Sequence, residues 1–370
     1  MTIYISVIIV LFICAIACYY KFLPPVALAA IVIGAPALIL LTPKTHPKVG
    51  GDFCGEDITP EEEKSIKAIL KTKTSLPTTV RAIHHLLPYR ASPFKKRVAL
   101  HLGQRKLLLV EISFLTDYAR KNDTIVYAGA APSIHTPFLS KLFENLKLKF
   151  ELYDPRKFRF AKTKGITAHQ QLFTNDDAGK WANREDILFM SDIRTGVPGD
   201  PDVEKKVAKD MQLQEEWTKI INPRAALLKF RAPYGINKLD SKLAGPLELQ
   251  PWAPQASSET RLVATRPFKS EQYSPKEYED KMFYLNAILR EWANFDHNIP
   301  VEKVKGLDYC FDCAFEIYIW KKYLNFIDPI NSDKVDKIAD LINLTSEKLS
   351  KGLDRGLHGH RGVKEEIRKC

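Results

Sequence analysis

The hydrophobic pattern divides the chain into an apolar N-terminal region and a longer part in which short apolar runs alternate with amphipathic segments. Residues 3–20 and 26–42 are apolar and are separated by a Pro24-Pro25 pair. Each stretch has about 17–18 residues, the short end of what spans a bilayer, and the prolines break a helix between them. We therefore expect a transmembrane segment or helical hairpin over residues 1–42, followed by a linker over 43–58.

Beyond the linker, predicted strands alternate with predicted helices. Thr59-Pro60-Glu61-Glu62 is typical of a helix start, with an N-cap residue, a proline at the first position and a capping-box glutamate. Strands are predicted at 124–129, 150–153, 187–191, 225–230 and 262–265. Helices are predicted at 107–118, around 136–147, and at 203–221, 275–294, 313–326 and 333–350. The alternation predicts an α/β fold with a doubly wound, mostly parallel sheet in a domain over 59–350, before a basic tail at 351–370.

Composition and charge narrow the class of partner. With 45% hydrophobic and 27% charged residues, the chain can bury a full core. The net charge of +11 falls almost entirely outside the first forty residues, which favours nucleic acid or an acidic membrane surface as partner. Lys44 and Lys48 favour a cytoplasmic domain by the positive-inside tendency. A cleaved signal peptide is the alternative, but no basic n-region precedes the first apolar run.

The six cysteines do not indicate a disulfide scaffold. Cys310 and Cys313 form a lone CxxC, which with His358 and His360 would offer four zinc ligands. The residues around this motif predict an aromatic helix, so we interpret both as core cysteines and expect no metal.

A turn of small residues follows the first predicted strand. Gly129 and its neighbours Ala130 to Pro132 would let the backbone approach a ligand before a helix begins. Asp154 ends the next strand, 25 residues after Gly129, near the spacing of ~20 at which nucleotide sites place a ribose-binding carboxylate. An ordinary tight turn is the alternative for the first feature alone. The two features together indicate an adenosine-type ligand.

Four charged residues stand where buried elements begin or end. Asp192 follows one predicted strand, Lys229 lies at the end of the next, Glu259 precedes the last, and Lys106 opens a helix. A solvated charge is the alternative for each residue taken singly. Because open α/β sheets bind ligands at the carboxyl ends of their strands, their joint placement predicts a site there.

Six sequence blocks, in this order, resemble the poxvirus cap-specific mRNA 2′-O-methyltransferase that doubles as the poly(A) polymerase regulatory subunit. They are GQRKLLLVEISFL, VYAGAAPSIHTPFL, LFMSDIRTG, LLKFRAPY, ETRLV and YEDKMFYLN, within roughly residues 85–325. The resemblance implies a Rossmann-like methyltransferase fold, S-adenosyl-L-methionine as cofactor, and a catalytic tetrad. The tetrad residues are Lys106, Asp192, Lys229 and Glu259.

The resemblance also implies binding residues for the methyl donor and the cap. The donor residues are Gly129, Ala130, Ala131, Pro132, Ser133, Asp154, Phe173 and Ile193. For the cap, Tyr234 would stack on the methylated guanine and Glu279 would read its edge. The second stacking ring is left open between Tyr89 and Phe94. The chain departs from the family at Ser133, where the family has a glycine.

The tetrad also has a physical rationale. A ribose hydroxyl is a poor nucleophile, so the protein must remove its proton and align it for attack. A lysine can act as base if desolvation or a neighbouring cation lowers its pKa, and Lys106 would provide that cation for Lys229. We expect Lys229 to be the base, oriented with Lys106 by Asp192 and Glu259.

Together these features predict a membrane-anchored mRNA cap 2′-O-ribose methyltransferase that faces the cytoplasm, on host-cell membranes if the source is viral. Capped mRNA is the expected substrate, with other capping or polymerase proteins as further partners. Basic runs at 90–97, 156–159 and 355–369 would contact phosphates. The alternative is a catalytically weak, membrane-tethered RNA-binding or polymerase-accessory module in which Ser133 crowds the donor. A protein or small-molecule methyltransferase fits the basic charge less well, and a nicotinamide dehydrogenase would carry GxGxxG.

Overall fold

The computed structural model describes residues 59–71, 74–89, 103–197, 199–254, 257–331 and 334–349. The predicted membrane segment at 1–42, the linker at 43–58 and the tail at 351–370 lie outside these residues, as does Phe94. Among the helices in the described ranges, none combines the length and apolarity needed to cross a membrane.

In the described part of the chain, nine strands form a large and a small sheet. In chain order they are β1 Thr124–Ala128, β2 Lys149–Tyr153, β3 Ile166–His169, β4 Ile187–Ser191, β5 Ala225–Phe230, β6 Leu239–Ser241, β7 Leu247–Glu248, β8 Thr260–Thr265 and β9 Glu271–Tyr273. The large sheet has the order β3-β2-β1-β4-β5-β8-β7, and β6 pairs with β9. Strands β1 to β5 run parallel, whereas β8 is antiparallel to both of its neighbours.

The helices bound the sheet on both faces. They are α1 Pro60–Lys71, α2 Gly103–Tyr118, α3 Thr136–Leu142, α4 Asn175–Lys180, α5 Val203–Ile221, α6 Pro275–Tyr284, α7 Phe311–Ile327 and α8 Val335–Leu349. After α6 the chain continues through a π-helical segment, Leu285–Leu289, and a last turn, Arg290–Trp292. Every residue of β1 and β4 is buried, as expected for parallel strands that helices cover on both faces.

The mixed α/β fold with a mostly parallel sheet is confirmed. The first helix begins as predicted: Glu62 N donates to Thr59 Oγ1 (3.2 Å) and Thr59 N donates to Glu62 Oε2 (2.9 Å), a reciprocal capping box. The pattern missed β3, β6, β7 and β9. These strands have two to four residues and lack a run of buried apolar positions, so neither length nor alternation marks them.

The strand order reverses between β1 and β4. The chain moves outward from β1 through β2 to β3, then returns to the other side of β1 for β4 and β5. Such a reversal opens a crevice at the carboxyl ends of the two central strands. The topology therefore predicts a ligand site at the residues that follow β1 and β4.

Candidate active site

The four charged residues predicted as a tetrad converge at the carboxyl edge of the sheet. Lys229 Nζ lies 3.0 Å from Asp192 Oδ1 and 3.1 Å from Glu259 Oε2. Lys106 Nζ donates to the other oxygen of Glu259 at 2.6 Å. We call these four side chains the charged centre.

The topology explains this convergence. Asp192 directly follows β4, and Lys229 is the fifth residue of the adjacent parallel strand β5. Glu259 directly precedes β8, and because β8 is antiparallel to β5, its start lies beside the end of β5. Lys106 comes from the first turn of α2. Residues that are far apart in sequence therefore share one edge.

Arg261 is a fifth member that the sequence interpretation missed. Its side chain is 2% exposed, and its guanidinium donates to Asp192 Oδ1 (2.8 Å) and Glu259 Oε1 (3.2 Å). Gln250 Oε1 accepts from its Nε at 3.0 Å. A charged residue two positions beyond Glu259 in a buried strand was the available signal, because residues i and i+2 share a face.

The electrostatics of the centre hold both carboxylates ionised at neutral pH. Burial opposes ionisation of Asp192, but Lys229 and Arg261 outweigh it and lower the pKa of Asp192 to about 2. Burial also opposes ionisation of Glu259, while Lys106, Lys229 and Arg261 hold its pKa well below the usual range. Burial lowers the pKa of the Lys106 ammonium, and Glu259 opposes this effect. The centre is thus a network of mutually dependent charges.

The main chain of Lys229 is fixed by a side chain. The pairing of β4 with β5 ends at Ser191 and Leu228, one residue before Lys229. Gln214 of α5 then takes the place of a strand: its Oε1 accepts from Lys229 N (3.1 Å) and its Nε2 donates to Lys229 O (3.2 Å). Lys229, which pairs with Arg261 of β8 on its other side, therefore has a fixed backbone although its β4 partner has ended.

Successive residues of α2 bind three different parts of the site. Gln104 Oε1 accepts from Ile134 N (3.1 Å) in the turn after β1. Arg105, buried, forms a two-bond pair with Glu316 of α7 at 2.8 and 2.6 Å. Lys106 enters the charged centre. The start of α2 thereby sets the position of Lys106 relative to both the turn and the helical layer.

The turn after β1 requires glycine at its first position. Gly129 has φ +78°, and a Cβ there would lie 2.7 Å from the backbone nitrogen of Ile193. Ser133, at φ +54°, is fully buried, and its hydroxyl donates to the carbonyl of Ala130 at 2.6 Å. The serine hydroxyl is therefore bonded within the turn itself.

Asp154, the predicted ribose-binding carboxylate, is engaged within the same region. It is 2% exposed, and its Oδ2 accepts from Ala131 N at 3.0 Å. Arg156 donates to both oxygens from its side chain, at 2.9 and 2.7 Å, and to Ala131 O at 3.0 Å. The Arg156 side chain is 67% exposed. A largely solvated guanidinium therefore covers a buried carboxylate.

The two remaining donor candidates occupy different surroundings. Phe173 is buried and packs edge-on against Tyr153 and Trp217, with ring centroids 4.9 and 5.0 Å away. Ile193 approaches Gly129 and lines an open pocket of about 450 Å³. That pocket also contains Lys229, so Ile193 adjoins the charged centre and Phe173 belongs to the core.

Next to this pocket, Tyr89 and Tyr234 form what we call the aromatic slot. Tyr234, which lines the pocket, faces Tyr89 with ring centroids 6.3 Å apart and an interplanar angle of 13°. Phe283 supports Tyr89 edge-on at 5.6 Å. Glu279 lies close enough to help raise the pKa of Tyr89, after burial and Tyr234. Within the described residues, Glu279 forms no hydrogen bond or ion pair. Of the two rings that the sequence left open, Tyr89 is the described one at this slot.

Glu204, a further acidic residue, fixes the position of Tyr234 in the slot. Glu204 of α5 accepts from Arg231 (2.8 Å) and from Tyr234 N (2.7 Å), and the Arg231 guanidinium lies 4.5 Å from the Tyr234 ring centroid. Ser258 Oγ lies 2.9 Å from Tyr234 Oη. Because Ser258 precedes Glu259, one short segment connects the slot to the charged centre.

The CxxC cysteines lie at the start of α7. Cys310 and Cys313 are both buried, in agreement with their interpretation as core residues. Ligand atoms of Asp308 and the two cysteines lie within 4.8 Å of one another. His358 and His360, the other two ligands of the zinc alternative, fall outside the described residues.

Fold and site together define a doubly wound α/β protein with a charged centre at its switch point and an aromatic slot beside it. The chain belongs to the poly A polymerase regulatory subunit family, whose model matches residues 80–332.

Two poxvirus proteins match the chain over similar lengths of sequence. The chain is 31% identical over 240 residues to the cap-specific mRNA (nucleoside-2′-O-)-methyltransferase of fowlpox virus, covering 59% of this chain and 75% of that protein. It is 28% identical over 219 residues to the myxoma virus (strain Lausanne) protein of the same name, covering 54% and 65%. The chain thus spans under two thirds of the myxoma protein.

Two solved structures are more distant. One, described as bluetongue virus VP4, a multifunctional RNA-capping production line, matches with 13% identity and a TM-score of 0.36, covering 62% of this chain and 45% of that one. A putative ribosomal RNA methyltransferase from Plasmodium falciparum matches with 13% identity and a TM-score of 0.31, covering 46% and 100%.

Proposed function

We propose that this chain is an S-adenosyl-L-methionine-dependent RNA methyltransferase that modifies a ribose 2′-hydroxyl at an mRNA cap. The observation that carries the proposal is the charged centre, in which a lysine amine contacts two carboxylates at 3.0 and 3.1 Å at the edge where doubly wound sheets bind nucleotides. The names of the fowlpox and myxoma relatives support the same activity.

The chemistry required of the protein is proton removal and alignment. When bound, the cofactor supplies a methyl group already activated on a sulfonium. Two of the three positions around Lys229 Nζ face Asp192 and Glu259, which leaves the third for the hydroxyl. Lys229 is therefore the residue that would accept the hydroxyl proton, while Asp192 and Glu259 hold its amine in line with the hydroxyl.

The charge balance of the centre favours a proton acceptor there. Four cationic side chains contact the two carboxylates: Lys106, Lys229, Arg194 and Arg261. Because cations outnumber anions, losing one proton from the cluster relieves electrostatic repulsion. Asp192 and Glu259 stay ionised and hold the lysines in place.

The donor would occupy the turn after β1 and the end of β2. The close approach of Gly129 to Ile193 forms a compact floor, and Asp154 supplies the carboxylate that suits ribose hydroxyls. These residues fit the cofactor if the exposed Arg156 side chain moves from Asp154. Ser133 leaves the fit intact because its hydroxyl is bonded to Ala130.

The aromatic slot supports recognition of a methylated guanine. Tyr89 and Tyr234 are nearly parallel, and a cationic base gains cation–π attraction from such rings. The Glu279 carboxylate, which has no partner within the described part of the chain, can accept hydrogen bonds from the base edge. Since Tyr234 of the slot and Lys229 of the centre line one pocket, the cap would hold the adjoining ribose near Lys229.

Membrane attachment is a further part of the proposal. The apolar sequence of residues 1–42 supports an anchor, joined by a linker at 43–58 to a catalytic domain over 59–350 and a basic tail at 351–370. The domain would face the cytoplasm, where donor and mRNA are found. Carbonate extraction tests the anchor, and protection from added protease tests the orientation.

One observation favours the alternative of a polymerase-accessory or RNA-binding module. Arg156 covers the carboxylate of Asp154, which is predicted to bind ribose. The family description, a polymerase regulatory subunit, agrees with this alternative. If Arg156 stayed in place, the domain would bind RNA without transferring methyl groups.

Transfer of a labelled methyl group from S-adenosylmethionine separates the two functions. We expect the full-length chain to label capped short RNA, to label uncapped RNA far less, and to produce 2′-O-methylribose on nuclease digestion. Equal labelling of both RNAs would remove the cap from the proposal. Donor and RNA binding without any labelling would favour the accessory module.

A further inference from the structure

A second groove lies at the opposite, amino edge of the sheet. It has a volume of about 860 Å³ and is enclosed by α3, the segment before β2 and the segment before β3. Four exposed lysines line it: Lys141, Lys147, Lys149 and Lys164. β2 runs from Lys149 at this groove to Tyr153, near the turn after β1, which we call the donor turn; four steps at ~3.3 Å per residue give about 13 Å. The groove is thus separate from the charged centre.

In the described part of the chain, the four lysines of this groove have no carboxylate partner. Within the described residues, none of the four lies within 4.0 Å of a carboxylate, whereas Lys180, Lys206 and Lys276 are paired. Two carboxylates also line the groove, Glu144 and Glu151, and Glu151 is engaged by His169 at 2.8 Å. A concave surface with four cations and two anions concentrates positive potential.

A basic connection joins this groove to the donor turn. The chain between β2 and β3 carries Arg156, Lys157, Arg159, Lys162 and Lys164. At one end, Arg159 N donates to Pro132 O in the donor turn at 2.9 Å. At the other end, Lys164 lines the groove. Positive charge therefore continues from one edge of the sheet to the other.

We propose, resting on the proposed function, that the groove and this connection bind the sugar–phosphate backbone of an RNA strand that extends beyond the catalytic pocket. Four clustered ammonium groups suit successive phosphates. The described lining of the groove contains no aromatic ring, so bases would not be stacked there, and binding would depend on phosphates more than on base sequence. An anionic membrane is the other polyanion that lysines attract, and exposed apolar side chains that insert would strengthen binding to it. None of the exposed large hydrophobic residues in the described ranges lines the groove.

The test measures binding alone, so it requires neither methyl donor nor cap. The full-length chain in non-ionic detergent would carry the triple substitution Lys147→Glu, Lys149→Glu and Lys164→Glu. Fluorescence anisotropy with an uncapped 30-nucleotide RNA would be recorded over a series of salt concentrations. Loss of three phosphate contacts should lower the slope of log affinity against log salt by about 2, at ~0.7 per contact on a single strand.

Matched variants separate the groove from net charge and from folding. Reversal of three exposed lysines elsewhere, Lys219, Lys242 and Lys269, changes the net charge equally and should alter the slope far less. The combined substitution Lys147→Arg, Lys149→Arg and Lys164→Arg should retain RNA binding. Methyl transfer to a capped dinucleotide, which spans only about 7 Å at ~3.4 Å per nucleotide and is too short to reach the groove, should be unaffected by the groove reversal.

Two outcomes overturn the proposal. The first is an RNA salt slope that falls equally in the groove and control reversals. The second is unchanged RNA binding together with weaker association with phosphatidylserine vesicles, which would make the groove a membrane-facing surface. Absence of methyl transfer in every protein would count against the proposed activity and leave the groove measurement intact.

Discussion

The charged centre and the aromatic slot are neighbours, since Lys229 and Tyr234 line the same pocket, but they are built differently. In the centre, Lys229, Glu259 and Arg261 each contact at least two charged partners, and their side chains are at most 15% exposed. In the slot, Tyr89 and Tyr234 are 49% and 39% exposed. Proton transfer requires atoms held within tenths of an ångström, whereas a flat ligand can enter between rings that remain solvated. The difference in burial thus follows the difference in task.

The two regions are nevertheless coupled through backbone. Ser258 contacts Tyr234, and Glu259 enters the centre. Glu204 and Gln214 of α5 respectively hold the slot and the main chain of Lys229. If a substitution removed cap binding or methyl transfer while preserving the other, the backbone that connects the slot and the centre would be shown to be rigid.

The largest expected effect comes from breaking the centre while sparing the slot. Lys229→Arg keeps a cation between the two carboxylates, but arginine cannot release its proton near neutral pH. We expect single-turnover methyl transfer to fall by about 10²–10⁴-fold, the usual contribution of general base catalysis. Affinity for capped RNA and for donor should stay at the wild-type level.

A control addresses the size of the arginine side chain. Lys242→Arg makes the same change at an exposed position and should leave transfer unaffected. If Lys229→Arg turned over like the wild type, Lys229 would lose its role as base, and the proposed mechanism would need another proton acceptor.

Much of the centre could be predicted because charge in a buried strand is conspicuous. Asp192, Lys229 and Glu259 interrupt or adjoin apolar runs, and the parallel topology brings strand ends together. Arg261 was not predicted, because a charged residue in a buried strand is explained only by the carboxylates that the fold brings to it. Its partners come from β4 and the segment before β8, pairings that no local pattern specifies.

The slot and the donor end were less predictable. Tyr89 lies in an irregular segment with no periodicity, and only tertiary structure places it opposite Tyr234. The Arg156 contact with Asp154 depends on a rotamer of an exposed side chain, which sequence does not determine. Sequence thus predicted residues fixed by strands better than those fixed by loops.

A smaller effect is expected from breaking the slot while sparing the centre. Tyr89→Ala removes one ring, and base–aromatic stacking contributes about 1–3 kcal/mol per base. The KM for capped RNA should therefore rise by about 5–100-fold, at ~1.4 kcal/mol per tenfold, with kcat preserved. The loss should be greater for a methylated than an unmethylated cap, because the methylated guanine is cationic.

Tyr89→Phe tests whether the ring itself is responsible, since it keeps the stacking surface and should retain discrimination. Tyr318→Ala removes another exposed tyrosine, 40% exposed on α7, and should have no effect on KM. An equal loss on both caps would mean that Tyr89 supports the fold of the slot without contacting the base.

The smallest effect is expected at the predicted donor site around Asp154 and Arg156. Like the charged centre, this site contains an ion pair, and like the slot, it has an exposed side chain. Arg156 covers Asp154, yet its side chain is 67% exposed, and an ion pair that solvated contributes about 0–1 kcal/mol. Arg156→Ala leaves the bond from Ala131 N that holds the Asp154 carboxylate, so the carboxylate stays in position. If ribose hydroxyls replace the guanidinium, the variant should bind S-adenosylmethionine up to about fivefold more tightly.

Calorimetry of the full-length chain measures this affinity. Lys157→Ala, a loss of charge at a neighbouring position, should leave the affinity unchanged, and Asp154→Ala should weaken it. Weaker binding by Arg156→Ala would instead mean that the guanidinium, through its bond to Ala131 O, holds the turn in the shape the donor requires.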